Sequence, residues 1–97
     1  MYKRINKQTT IEILSNPEAL LFDIRDWESY RDGHVDNAIH LAIDNLSRLA
    51  DEIDKSRPVL VMCYHGNSSQ SVADYFVKNG FEDVYSIDGG YEGWVNE

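Results

Sequence analysis

Only one cysteine, Cys63, occurs in the 97 residues. A lone thiol excludes an internal disulfide, a CxxC redox pair and a zinc site built from several thiolates. A reducing cytoplasm is the compartment that such usage suits. There are two prolines and no linker-like run, repeat or low-complexity segment, so residues 1–97 read as one domain. No stretch approaches the roughly 20 apolar residues of a membrane span. The amino-terminal MYKRINKQTT is charged with no apolar run behind it, so it does not read as a signal peptide. Cations are scarce too: nine Lys and Arg face 17 Asp and Glu, a formal net charge of −8. Nucleic acid and anionic membranes bind basic patches, and neither is an expected partner. No heptad or long apolar stripe suggests an interface, so a monomer is expected. No metal or cofactor is called for.

What is present is ordinary for a globular chain: 42% hydrophobic and 27% charged residues. Short strand-like runs alternate with helical patterns. YKRI is a short strand candidate. TTIEILSN reads as a helix capped by Thr9 or Thr10, with Ile11, Leu14 and Ile13 on its apolar face and Asn16-Pro17 ending it. ALLFDI is a continuous apolar run, the pattern of a strand buried on both sides. Asp26 opens a short helix over DWESYRDG, stopped by Gly33. AIHLA is a third strand. Asp44 is expected to cap DNLSRLADEI, which carries Leu46, Leu49 and Ile53 at helical spacing. VLVMC is the most strand-like run. A helix from Asn67 or Ser68 to about Asn79 turns Val72, Ala73, Phe76 and Val77 inward, and Asn79-Gly80 stops it. VYSI is the last strand. Asp88, Gly89 and Gly90 lead into a closing helix, YEGWVN. The alternation predicts an α/β domain with a mainly parallel sheet of about five strands and helices on both faces. Ligands of such sheets bind at the carboxyl ends of the strands. Cys63 falls at one of those ends.

The loop after Cys63, YHGNSS, is short and polar, and Gly66 permits positive φ. A tight loop entering a helix turns N–H groups inward and makes an anion cradle, with the helix dipole adding positive potential. Both favour thiolate over thiol. A free cysteine ending a strand is also a common small core hydrophobe, and the residues by themselves leave both readings open. His65, two residues from the thiol, is either a base or donor or a solvent-facing side chain. Ser68 and Ser69 are helix-cap candidates as well as substrate ligands. His34 and His40 read as hydrogen-bonded structural residues, and Trp27 and Trp94 as core or rim packing. A phosphatase or arsenate reductase of the Cys-X5-Arg type needs a guanidinium fork for its oxyanion. The sixth residue after Cys63 is Ser69, which removes that fork.

Together, LLFDIRDWESYRDGHVDNAIHLA, CYHGNSS and VYSIDGGYEGW resemble the ordered signatures of single-domain rhodaneses. Within that family they are most similar to the GlpE type of thiosulfate sulfurtransferase. The resemblance spans roughly Lys3 to Trp94. It implies a rhodanese fold and a double displacement: Cys63 takes the sulfane sulfur of thiosulfate, and its persulfide passes that sulfur to cyanide, a small thiol or a thioredoxin-like thiol protein. It implies a cradle of backbone amides from Tyr64, His65, Gly66, Asn67, Ser68 and Ser69. Asp23 and Arg25 are implied to shape the region near the loop, Gly33 and His34 to fix a turn, and Gly89, Gly90 and Trp94 to complete the closing turn and helix. A sulfur-carrier or protein-binding module with little thiosulfate turnover is the alternative. Many rhodaneses carry Arg or Lys in or beside the loop. Here Arg57 is the last such cation before Cys63 and Lys78 the next after it, with Gln70 just past the loop. Together with the net charge, this predicts weak thiosulfate binding and a strong salt dependence.

Overall fold

The apolar runs do form strands, and the strands form one sheet. The computed structural model describes residues 1–97. The elements run β1 (Lys3–Ile5), α1 (Lys7–Leu14), β2 (Leu20–Asp23), α2 (Trp27–Asp32), β3 (Ile39–His40), a 3-10 turn (Ile43–Asn45), α3 (Leu46–Glu52), β4 (Val59–Met62), α4 (Ser68–Lys78), β5 (Val84–Ile87) and α5 (Gly90–Val95). The five strands lie in the order β1-β5-β4-β2-β3. Every pairing is parallel.

Parallel strands need crossovers, and the crossovers cover both faces of the sheet. Side chains alternate along each strand and so feed two cores. Val59 and Val61 point with Phe22 and Val84 into a cluster shared with Leu46 and Ala50 of α3 and Val72, Ala73 and Phe76 of α4. Leu60 and Met62 point the other way, with Leu21, Ile5 and Ile87, toward Ile13 and Leu14 of α1, Tyr30 of α2 and Trp94 of α5. All four β4 side chains are completely buried. Each such aliphatic burial contributes about 1.5–3 kcal/mol. VLVM therefore reads as continuously apolar because both of its faces are covered.

Three local expectations are corrected. The first helix begins before Thr9, because the Asn6 side chain accepts a hydrogen bond from the Thr9 N–H and caps it. Thr10 then lies inside the helix, wholly buried, its hydroxyl donating to the Asn6 carbonyl. The inward face is Thr10, Ile13 and Leu14, and Ile11 is 48% exposed. Asp44 does not cap α3; it lies inside the 3-10 turn, Asn45 is the cap position, and no side-chain cap bond forms there. Gly33 does end α2, but its φ of 175° is ordinary extended backbone. Its lack of a side chain serves packing instead, since a Cβ there would meet the Tyr91 hydroxyl at 2.9 Å.

The topology decides where a ligand can approach. From β2 the chain moves to β3 on one side; from β4 it moves to β5 on the other. The connections therefore diverge at the carboxyl ends of β2 and β4. Such a divergence opens a crevice in parallel sheets. Asp23 is in register with Met62, so the next residue on β4's side is Cys63.

Candidate active site

Cys63 is 3% exposed and leaves β4 directly into the loop Tyr64–Asn67. Gly66 adopts φ 92°. A side chain there would be strained by its backbone, and its Cβ would stand 2.8 Å from the Gly89 N and 3.2 Å from the Ile87 carbonyl oxygen. Gly90 is under the same constraint, with a Cβ position 2.5 Å from the backbone of Cys63 and Tyr64. This close approach has a purpose in the hydrogen bonding. The Tyr91 N–H donates to the Cys63 carbonyl at 2.8 Å, and the Glu92 N–H donates to the Tyr64 carbonyl at 3.1 Å. The first turn of α5 thus takes up two of the loop carbonyls. The loop N–H groups are left for the sulfur.

Two of them reach it. The Gly66 N–H lies 3.2 Å from the Cys63 Sγ and the Ser69 N–H 3.3 Å from it. The Ser69 Oγ is also 3.3 Å away. The N–H groups of Tyr64, Asn67 and Ser68 find no acceptor in the protein, and that of His65 also faces the sulfur. The Gln70 side chain, one turn along from Gly66, donates to the Gly66 carbonyl at 2.9 Å and accepts from the Tyr2 hydroxyl at 3.0 Å, which holds the loop from α4. Burial pushes the Cys63 thiol up. The Ser69 hydroxyl and the Ser69, Gly66 and His65 N–H groups outweigh it, and the thiol sits below its ordinary range. Ionised at lower pH and facing unpaired N–H donors, this sulfur is equipped as a nucleophile whose product is an anion.

The remaining expected site residues divide clearly. Tyr64 presents its ring outward, 43% exposed, with its hydroxyl 3.0 Å from the Ser29 Oγ of α2. The His65 ring is exposed and pairs with the Glu92 carboxylate of α5, away from the sulfur. Asn67 and Ser68 make no side-chain cap for α4; Ser69, wholly buried, turns to the sulfur. No Lys or Arg donates a hydrogen bond to the loop. His34 and His40 are structural, each donating a ring N–H to a backbone carbonyl, His34 to Tyr30 and His40 to Arg25, at 2.7 Å. Trp94 is half-buried under Lys7, and Trp27 lies largely exposed against Tyr30 and His40.

Beside the loop, Asp23 and Arg25 form a buried ion pair at 2.7 Å. Asp23 also accepts from the Arg25 backbone N–H and Nε. Arg25 spans to the Gly33 carbonyl at 2.7 Å and stacks on the Tyr91 ring at 3.9 Å. It therefore ties the end of β2 to the turn after α2 and to α5, whose N–H groups hold the carbonyls of Cys63 and Tyr64.

Sequence reasoning missed Ser86 and Glu92. Ser86 on β5 is wholly buried, with its Oγ 2.8 Å from the Ser69 Oγ. Its signal was a serine inside VYSI, a strand otherwise fit for burial. Glu92 had no signal short of the tertiary fold. The largest surface cleft, about 490 Å³ and bordered by Ile11, His34 and Trp94, contains no residue of the Cys63 loop. Chemistry and cavity size do not coincide in this molecule.

Residues 6–97 match the family described as Rhodanese-like domain. The thiosulfate sulfurtransferase GlpE of Tolumonas auensis is 52% identical over 93 residues, 96% of this chain and 88% of that protein. GlpE of Coxiella burnetii is 45% identical over 94 residues, covering 97% and 88%. Among solved structures, a rhodanese-related protein of Thermoplasma volcanium superposes with a TM-score of 0.83 at 23% identity, over 98% of this chain and 92% of that one. A rhodanese-like domain from Anabaena reaches 0.84 at 24%, over 99% and 75%. At those identities the structures speak for the fold. With the family match across nearly the whole chain and curated relatives at this level of identity, the chain belongs to the rhodanese family.

Proposed function

We propose that this protein is a thiosulfate sulfurtransferase that works by double displacement at Cys63. The activity is that named for its GlpE relatives. One observation carries the mechanism: the buried sulfur is met by two N–H groups and a hydroxyl, with no counter-cation bonded to it. In the first step the Cys63 thiolate attacks the outer sulfur of thiosulfate. A Cys–S to S bond forms, the S–S bond of thiosulfate breaks, and its electron pair leaves with sulfite. The terminal persulfide sulfur now carries the negative charge. The free N–H groups of Tyr64, Asn67 and Ser68, with that of His65 beside them, are the donors available to that anion. In the second step cyanide, or an acceptor thiolate, attacks the terminal sulfur. The product is thiocyanate or the acceptor's persulfide, and the Cys63 thiolate leaves with the electron pair. Two easy displacements replace one difficult transfer. No proton moves to or from the His65 ring, in keeping with its pairing to Glu92.

The test is an intact mass under non-reducing conditions after incubation with thiosulfate and removal of the excess. The protein gains about 32 Da, one sulfur as a persulfide. The gain disappears with cyanide or dithiothreitol and does not occur in Cys63→Ser, whose turnover falls at least about a thousandfold. No gain, with Cys63 still open to alkylation, overturns thiosulfate as donor and leaves a carrier loaded by another protein's persulfide.

A further inference from the structure

The loop after β4 accounts for one side of Cys63. The other side is built from two hydroxyls brought together by the fold. Ser69 sits in the first turn of α4, and Ser86 lies on the α4-facing side of β5, between Val84 and the strand end. Both are completely buried. The chain of contacts runs from the Cys63 Sγ to the Ser69 Oγ at 3.3 Å, then to the Ser86 Oγ at 2.8 Å. There it stops: the Ser86 hydroxyl has no other partner.

A hydroxyl has one proton to donate, and the protonation state of the sulfur sets the direction of the chain. With a neutral thiol, S–H donates to Ser69, Ser69 donates to Ser86, and the Ser86 proton has no acceptor. With a thiolate, Ser86 donates to Ser69, Ser69 donates to the sulfur, and every proton is used. A buried donor without an acceptor is costly, because no water replaces the missing partner. The chain is satisfied in one direction only, the one that points at an anionic sulfur.

We propose that Ser86 is a positioning residue for the nucleophile: acting through the Ser69 hydroxyl, it orients a two-hydroxyl chain toward Cys63 and so favours the thiolate. The lowered thiol range agrees with this. The same orientation serves the second displacement, in which the Cys63 thiolate is the leaving group and leaves faster the more it is stabilised. This role rests on Cys63 being the nucleophile proposed above, but ionisation of the thiol is measured without any sulfur donor. A failure of the relay and a failure of the thiosulfate chemistry are therefore read separately.

The experiment is a pH titration of thiolate ultraviolet absorbance, blanked with Cys63→Ser, with iodoacetamide alkylation rates alongside. It is run on the unsubstituted protein, Ser86→Ala, Ser69→Ala, the double variant and Ser86→Thr, with thermal melts to show that each is folded. Ser86→Ala moves the midpoint upward and slows alkylation at neutral pH about threefold to tenfold. Ser69→Ala moves it further. The double variant goes no further than Ser69→Ala alone, because Ser86 acts only through Ser69. Ser86→Thr, which keeps the hydroxyl, stays with the unsubstituted protein. An unmoved midpoint in Ser86→Ala, or an equal shift when Ser69 is already absent, overturns the proposal. If Ser86→Ala melts below the assay temperature, Ser86→Thr decides alone: a midpoint as high as that of Ser69→Ala overturns it.

Discussion

Two acidic groups lie buried at neighbouring strand ends, and they are stabilised in opposite ways. Asp23 ends β2 and Cys63 follows β4; the two strands are paired, with Asp23 opposite Met62. Asp23 is met by a full counter-charge. Its carboxylate takes the Arg25 guanidinium at two nitrogens and the Arg25 N–H besides. Cys63 is met only by dipoles, two N–H groups and one hydroxyl. The difference separates structure from chemistry. A carboxylate locked to a guanidinium has its hydrogen-bonding capacity spent, and its job is to hold backbone in place. A sulfur held by dipoles keeps its charge unneutralised, because no counter-ion is bound to it. It also avoids a salt bridge that would have to break if, as proposed, the charge moves out to a persulfide. The N–H groups still unpaired around the loop are positioned where that charge would go.

Breaking the closed pair has the largest expected effect, and it falls on stability. Arg25→Ala leaves the Asp23 carboxylate buried and uncompensated, and removes the stack on Tyr91. The expected loss is about 3–5 kcal/mol, which lowers the melting temperature by at least about 12 °C in a domain of this size. Sulfur transfer per folded molecule at low temperature falls less than stability does. A variant as stable as the unsubstituted protein but catalytically dead would reverse the roles assigned to the two groups. Breaking the open site has the converse signature. In Gly66→Ala the backbone at φ 92° is strained, the Cβ presses on the Gly89 N, and the N–H that holds the sulfur is displaced. Losing one hydrogen bond to an ionised sulfur lowers the transfer rate about tenfold to a hundredfold. The strain costs about 1–3 kcal/mol of stability. Steady-state kinetics with a thermal melt on the same sample separate the two. Full activity in this variant removes the Gly66 N–H from the cradle.

The same contrast explains what could be read from the sequence. The open site is built mostly from one contiguous segment: strand, thiol, glycine loop and helix start follow one another from Val59 to Ser69. Continuous hydrophobicity gave β4, and the Asn79-Gly80 stop gave the far end of α4. The sheet followed from the alternation of strands and helices. The order of the strands did not, since no local pattern places β5 between β1 and β4. Ser86 reaches Ser69 only because of that order. Its polarity in VYSI was visible, but its partner was 17 residues away. The pairing of His65 with Glu92 is the same kind of long-range contact, 27 residues apart. At α1 the caps expected from the sequence were Thr9 or Thr10, and Asn6, outside the apolar pattern, took the position instead. A shaping role for Asp23 and Arg25 near the loop was implied by resemblance to rhodaneses, and their ion pair came with the structure. Its reach to Gly33 and Tyr91 needed the fold.

The mildest way to sharpen the comparison is to add to the open site a cation that bonds to its loop. The loop has no Lys or Arg bonded to it, and the whole chain carries a net charge of −8. A thiosulfate dianion approaches against that field. Added salt screens the repulsion within about 10 Å at 0.1 M, so the KM for thiosulfate is expected to be high in dilute buffer and to fall as salt rises. Gln70→Lys places an ammonium at the loop while keeping a donor for the Gly66 carbonyl that Gln70 now holds. Attraction at such separations in a surface-like dielectric lowers KM about threefold to tenfold, with kcat little changed, because the cation greets the substrate and takes no part in the displacement. The salt dependence shrinks in the same variant. Kinetics of both proteins across ionic strength decide the matter. A KM for the unsubstituted protein that is already low and indifferent to salt would mean that the dipoles of the loop suffice to bind the dianion as well as to hold the thiolate. The missing cation would then be no handicap, and the thiosulfate site would need nothing beyond what Gly66, Ser69 and the unpaired N–H groups supply.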